Sequence, residues 1–467
     1  MRKNIIFFII LIILCFNSFG QQSENNSKPP KYVFLFIGDG MGFNHISLTE
    51  AFLSETIGFK HLAMTNFPVF GQCETFCKNS LITDSGAAGS AIACGAKENF
   101  ENISYYQNSD TIKSLAKIFH KKGYKIGIIT STDMNDATPA TFYASNKSRK
   151  NYYNIALEAP KSDFELFAGG TFYQPTDKNK DKINILNIFT EKNYFQTNNI
   201  EDLSSEKYNK ILFTNKTTLE GGEMPYCIDN NIFEKYSLSQ IVESSIKFLD
   251  NKNGFFIMTE GGKIDWACHE NDAATAIQEV IDFDNAIKTA YDFYLKHPDE
   301  TLIIVTADHE TGGLSLGIAQ NKYNSDFSIL KNQKISHEQF ANKFEEYKNS
   351  NPKMSINDII AFVNKEFYYT PILFTDNELQ EIQFAYDIFF KNDKMITTEK
   401  KYKLFGNYNP LTITFMKILT DRASVGFTTW AHTAAKVPLF AIGKNSQIFS
   451  GTINNSDITP KILGLFE

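Results

Sequence analysis

Cysteine is scarce in this chain: six residues among 467, one of them, Cys15, inside an N-terminal apolar run. Cys73, Cys77, Cys94, Cys227 and Cys268 remain once a leader is removed. That number is odd, so at least one thiol is unpaired or pairs between chains, and a disulfide scaffold is excluded. Cys73-x-x-x-Cys77 lacks the spacing of redox and zinc CxxC motifs. Long apolar runs are also missing. The run Ile5–Phe16 is too short to span a bilayer comfortably. Positive charge is in deficit, with 46 basic against 53 acidic residues and a net charge of −7. Nucleic-acid binding is carried by clustered Lys and Arg, so an acidic chain argues against that partner. No period of 20–50 residues recurs, which excludes a solenoid. Disorder, collagen and coiled coil are excluded by a 42% hydrophobic share, enough for a large core.

The start of the chain reads as a cleaved secretory signal, Met1–Gly20. Arg2 and Lys3 precede the apolar run, and Ser18-Phe19-Gly20 supplies small residues before Gln21. Cleavage takes two basic and no acidic residues, leaving a net charge of −9. The mature protein is therefore expected to be exported, periplasmic or extracellular, with no stable membrane anchor. Gln21–Pro30 reads as a polar linker.

The rest, 31–467, reads as one α/β unit. Lys31–Ile37, Tyr124–Thr130, Phe255–Thr259 and Thr301–Thr306 are short continuous apolar runs, the pattern of strands buried on both faces. Helical spacing over Thr111–Lys122 and Asp272–Leu295 alternates with them. Strands alternating with helices predict a mostly parallel central sheet flanked by helices on both faces. The stretch 321–408 breaks that order. Amphipathic runs at His337–Lys348, Ile356–Phe367 and Asp376–Phe390 predict a mainly helical insert, with the main fold resuming near Asn409-Pro410 and a late strand at Val437–Ile442.

Polar residues that promise chemistry follow the strands. Asp39, Glu260 and Asp308 stand at or just after strand ends, where open α/β sheets place their sites. Thr83-Asp84-Ser85-Gly86-Ala87-Ala88 suggests a helix starting near Ser85. A hydroxyl there suits an anion or an attack on one, although a plain helix cap is the commoner role. Ser85 fails the usual serine hydrolase pattern, because Thr83-Asp84-Ser85-Gly86-Ala87 is not G-x-S-x-G. Asp265 and His269, four apart, share one helix face and offer two zinc ligands. Asp308-His309 and His432 add two imidazoles, so three of only eight histidines fall in these motifs. Asp136-Ala-Thr138-Pro supplies hard oxygens, and Arg149 a planar cation suited to two phosphate oxygens. Gly38-Asp39-Gly40-Met41-Gly42 lacks the Gly-Lys-Ser/Thr of a P-loop. Its glycines instead let the backbone pass close while Asp39 bridges metals.

Taken in order, Ile37-Gly-Asp39-Gly-Met-Gly, Asp84-Ser85-Gly-Ala-Ala, Asp136-Ala-Thr-Pro, Arg149, Glu260, Asp265/His269, Ala307-Asp308-His309 and His432-Thr433 resemble the alkaline phosphatase family. The resemblance covers most of Lys31–Leu316 and Gly426–Leu465. It implies hydrolysis of small phosphate monoesters through a phosphoserine at Ser85, with two zinc ions and one magnesium ion. One zinc would be held by Asp265, His269 and His432. The other would be held by Asp39, Asp308 and His309, with Ser85. Magnesium would take Asp39, Thr138 and Glu260, with Asp136 and Trp266 behind those ligands and Arg149 on the substrate phosphate. Trp266 departs from relatives that carry Lys or His after the aspartate. A phosphodiesterase or sulfatase of the same superfamily and a non-enzymatic phosphate-binding protein are the competing readings. A homodimer is possible, and the insert is expected to cap the site mouth, with a subunit contact as the alternative.

Overall fold

Six consecutive apolar side chains can all be buried only in a strand covered on both sides, and Tyr32–Ile37 (β1) is buried throughout. The computed structural model describes residues 28–467 except 59–60, 107–111, 178, 180 and 392–395. The expected leader and most of the linker lie outside the described residues. β1 is central in a ten-stranded sheet. With Val69–Glu74 (β2), Lys125–Thr130 (β3), Leu166–Gly169 (β4), Phe195–Thr197 (β5), Ile211–Thr214 (β6), Phe255–Glu260 (β7) and Thr301–Thr306 (β8), the order from one edge is Gly451–Asn454, β2, Val437–Gly443, β8, β1, β7, β3, β4, β6, β5. Every pairing is parallel except the two made by Val437–Gly443. The expected mostly parallel sheet is present.

Alternating side chains of β7 show how both faces are covered. Phe256 packs on Phe119 and Phe142 of helices Leu115–Lys121 and Ala137–Tyr143. Phe255 points the other way, onto Phe293 of the long helix Ala273–Tyr294. Among the described residues no helix is long and apolar enough to cross a membrane.

A second apolar core gathers Phe340, Phe344, Ile359, Val363, Ile382 and Phe415. They come from helices His337–Ser350, Ile356–Glu366, Asp376–Lys391 and Pro410–Arg422. The main fold does not resume at Asn409-Pro410. Asn409 caps a helix there and Pro410 occupies its first turn, where the missing N–H costs nothing. That helix packs on Asp376–Lys391 and stays with the second core. The segment closes at its base, where Ser315–Leu316 pairs with Val425–Gly426, and the chain rejoins the sheet at Val437.

Candidate active site

Register brings the functional residues to one level. Ile37 lies opposite both Glu260 and Thr306, and Thr130 opposite Glu260. The chain leaves four adjacent strands along one line, so Asp39, Asp136, Glu260 and Asp308 converge above it. Gly40 makes the turn after β1 possible. Its φ is +73°, and a Cβ there would meet the Asp265 backbone at 2.9 Å.

Helix Ser85–Cys94 begins where the sequence suggested, but Asp84 is its cap. The Asp84 carboxylate accepts from Gly86 N at 3.1 Å and Ala87 N at 3.3 Å. The Ser85 hydroxyl is therefore not needed for capping. It is buried and stands 3.2 Å from His309 Nε2. The small residues of this helix let it approach Ala137–Tyr143 closely, since a Cβ on Gly89 would come within 3.1 Å of Thr141. Arg149 Nη1 reaches Asp84 at 3.3 Å and Ser85 Oγ at 3.5 Å, and its Nη2 reaches Asp136 at 3.1 Å.

Three groups of side chains could each hold a cation: Asp265 with His269 and His432, Asp39 with Asp308 and His309, and Asp39 with Asp136 and Glu260. Within each, one ligand atom per residue lies within 4.8 Å of the others. Thr138 joins the third group by donating to Asp39 Oδ2 at 3.3 Å. Trp266 is a partly buried ring packed on the main core, with the Lys263 ammonium 4.6 Å above it.

Burial first, then Asp308, Asp265 and Glu260, pushes the Asp39 carboxyl well above the usual range. Burial and the neighbouring acids push Asp308 up to about 7, and burial with Asp136 pushes Glu260 up to about 8. Asp265 goes the other way. Burial opposes it, but the His269, His432 and His309 imidazoles hold its carboxyl below the ordinary value. Burial drives His309 well below its usual pKa and lowers His432 too. Asp39 Oδ1, Glu260 Oε1 and Asp308 Oδ2 are buried and accept no hydrogen bond. So many bare carboxylate oxygens in one dry place are expensive unless cations neutralise them.

The imidazoles are oriented for the same purpose. His269 Nδ1 meets the Trp430 carbonyl at 2.7 Å and His432 Nδ1 meets the Thr83 carbonyl at 2.8 Å. A carbonyl only accepts, so each Nδ1 carries the proton and each Nε2 keeps its lone pair. Those two Nε2 atoms face each other at 3.1 Å. Thr311 Oγ1 donates to Asp265 Oδ1 at 2.5 Å and meets His309 Nδ1 at 3.2 Å, which leaves the His309 Nε2 lone pair facing Ser85 Oγ. The donor set fits resident cations.

Sequence reasoning missed several supporting groups. Thr311 follows His309 by two positions, and alternate positions of an extended segment face one side. Thr130 and Thr132, also two apart, both donate to Glu260 Oε2, Thr132 at 3.2 Å. The carbonyls of Thr83 and Trp430 carry no sequence signal, because backbone acceptors are the same in every residue.

A serine at a helix start, facing three groups of side chains that could each hold a cation above the ends of parallel strands, defines a candidate metal-dependent enzyme centre. The alkaline phosphatase family model matches residues 30–167 and 165–465. Alkaline phosphatase 4 of Bacillus subtilis is 30% identical over 456 residues, covering 94% of this chain and 90% of the relative. The cold-active alkaline phosphatase of a psychrophilic Shewanella sp. superposes with a TM-score of 0.75 at 28% identity, covering 93% of this chain and 100% of that one. A mutant alkaline phosphatase from the Antarctic bacterium TAB5, with Mg bound in its M3 site, superposes at 0.64 with 26% identity, covering 94% and 98%. The chain belongs to the alkaline phosphatase family, whose members are phosphoric monoester hydrolases.

Proposed function

We propose that this chain is an exported phosphate monoesterase of broad substrate range that works through a phosphoserine at Ser85. Zinc would occupy Asp265/His269/His432 and Asp39/Asp308/His309 with Ser85. Magnesium would occupy Asp39, Thr138 and Glu260, with Asp136 beside them. The convergence of the His269 and His432 Nε2 atoms, 3.1 Å apart, with the Asp265 carboxylate is the observation that carries the reading, because two imidazole nitrogens and a carboxylate in one place are a zinc donor set. The third group offers only oxygens, which suits a hard octahedral ion, and the Mg in the TAB5 M3 site supports that choice.

Bound cations supply Lewis-acid charge at the attacking hydroxyl, the leaving oxygen and the hydrolytic water. The protein supplies position. Ser85 Oγ, freed from capping by Asp84, points into the site. Its proton passes to solvent as the oxygen attacks phosphorus in line with the leaving group, whose P–O bond breaks and whose alkoxide takes a proton from water to depart as the alcohol. Arg149 faces Ser85 Oγ and holds the non-bridging phosphate oxygens. Asp84 and Asp136 hold the guanidinium in place. Water then cleaves the phospho-Ser85 ester, restoring the hydroxyl and releasing inorganic phosphate. A diesterase is expected to lack the third group, so Asp136, Glu260 and Thr138 around Asp39 favour monoesters. Export rests on the Met1–Gly20 signal.

The test compares rates on chromogenic phosphate monoester, diester and sulfate ester substrates, with metal content measured on the same sample. Ser85→Ala should lower the monoester rate by orders of magnitude, and a quenched reaction of the unaltered protein should carry one phosphate on the Ser85 peptide. Full activity in Ser85→Ala would refute the covalent step, and a faster diester rate would refute the substrate class.

A further inference from the structure

Asp265 and His269 stand on a helix of only seven residues, Lys263–His269. A helix that short has no stability of its own in water, so its place must be imposed from outside. Its middle packs on the main core and on helix Ala273–Tyr294, and its two ends meet one segment of the second core, residues 333–338.

At the far end of the site helix, the Asp272 backbone donates to Ala267 O at 2.9 Å, closing the turn after His269. The buried Asp272 carboxylate is gripped by Gln333 Nε2 at 2.8 and 2.9 Å and by the His337 amide at 2.9 Å. In the turn between, His337 Nδ1 lies 3.6 Å from Glu270 Oε1. At the near end, the Lys263 ammonium is fully buried and donates no hydrogen bond. It sits 3.6 Å above the Tyr226 ring and 3.7 Å from Glu338 Oε2. A buried lysine is expensive, and these neighbours are what offset the cost. Ser336 anchors the segment by donating its amide and hydroxyl to Asp229 at 2.9 and 2.7 Å.

We infer that Gln333, His337 and Glu338 are positioning residues that clamp both ends of the Asp265/His269 helix and so set the affinity of that one cation site. The helical segment is then a support for the metal ligands, in addition to any part it plays at the site mouth. The inference rests on the proposed cation at Asp265, His269 and His432.

The experiment measures zinc dissociation constants by competition with a chelator in the full mature protein. His432→Ala identifies the constant that belongs to this site. Gln333→Leu and Glu338→Gln should each raise that constant roughly 10- to 100-fold, as loss of groups supporting a metal ligand does, and leave the other sites unchanged. Arg422→Met, which breaks the Arg422–Glu378 pair elsewhere around the second core, should leave it unchanged. Activity at saturating zinc should return. If Gln333→Leu does not fold, Glu338→Gln carries the test, since its carboxylate is partly exposed. Unchanged affinity at the His432 site in a folded variant overturns the inference alone. Equal weakening of all sites, in Arg422→Met as well, also overturns it. An unaltered protein that binds no zinc overturns the proposed function and the inference together.

Discussion

Arg149 is the residue we propose for holding the substrate phosphate, and its contacts let the effect of replacing it be worked out. The guanidinium spans three partners: Asp136 at 3.1 Å, Asp84 at 3.3 Å and Ser85 Oγ at 3.5 Å. Lysine keeps the charge but is a point donor on a flexible stem, and cannot bridge both carboxylates while facing a phosphate. Arg149→Lys thus loses about one charge-assisted hydrogen bond to the substrate. Such a bond is worth about 1.5–3 kcal/mol, so kcat/KM should fall roughly 10- to 150-fold. Arg149→Ala should fall further, because Asp84 and Asp136 then face the phosphate's negative charge with no cation between. The assay is initial-rate hydrolysis of a chromogenic monoester together with competitive inhibition by inorganic phosphate. The inhibition constant should rise along with the loss in kcat/KM, since both ligands present the same oxygens. Helix Ser85–Cys94 should survive, because Asp84 still accepts from Gly86 and Ala87. Arg149→Ala with an unchanged inhibition constant and unchanged kcat/KM would refute the reasoning.

Three further outcomes are expected. Gly89→Val pushes against Thr141 and separates the helices that carry Ser85 and Thr138. Melting temperature and kcat should fall together, with a stability loss of about 1–3 kcal/mol, and a variant unchanged in both would contradict the close-packing account. Burial pushes the Asp284 carboxyl up to about 6 from 3.8, against the amides of Met64 and Ala63. The folded protein then holds a proton that the unfolded chain has released, so stability falls as pH rises between about 4 and 6, by about 3 kcal/mol in all. Asp284→Asn should flatten the urea midpoint across that window, and an unaltered slope would exclude the assignment. Prolonged treatment with a strong chelator should abolish hydrolysis. Zinc should restore part of it and magnesium should add to that, whereas full activity after metal removal would rule out the cation centre.

The central strands and the convergence of Asp39, Glu260 and Asp308 were legible because burial on both faces forces continuous apolar runs, and polar residues can follow only where those runs end. β1, β7 and β8 show this most clearly, each with all six residues buried. Asp265 and His269 were legible from helical spacing, and the run after Ser85 from its small residues. Asn409-Pro410 was misread because proline marks a helix start as readily as a boundary, and only packing on Asp376–Lys391 separates the two.

By itself, the sequence determined the parallel α/β class, the family through its ordered motifs, and the residue types that can ligate cations. These are local properties, written in periodicity and in side-chain chemistry. Only the tertiary structure decided that Asp84 takes the cap and frees Ser85, and that Asp136 lies with Asp39 and Glu260 while also pairing with Arg149. Only the tertiary structure decided that backbone carbonyls of Thr83 and Trp430 choose the tautomers of His432 and His269, from 349 and 161 residues away in the chain. The physical reason is that protonation state and ligand direction depend on which atoms meet across the fold, and no pattern in one stretch of chain records its distant neighbours.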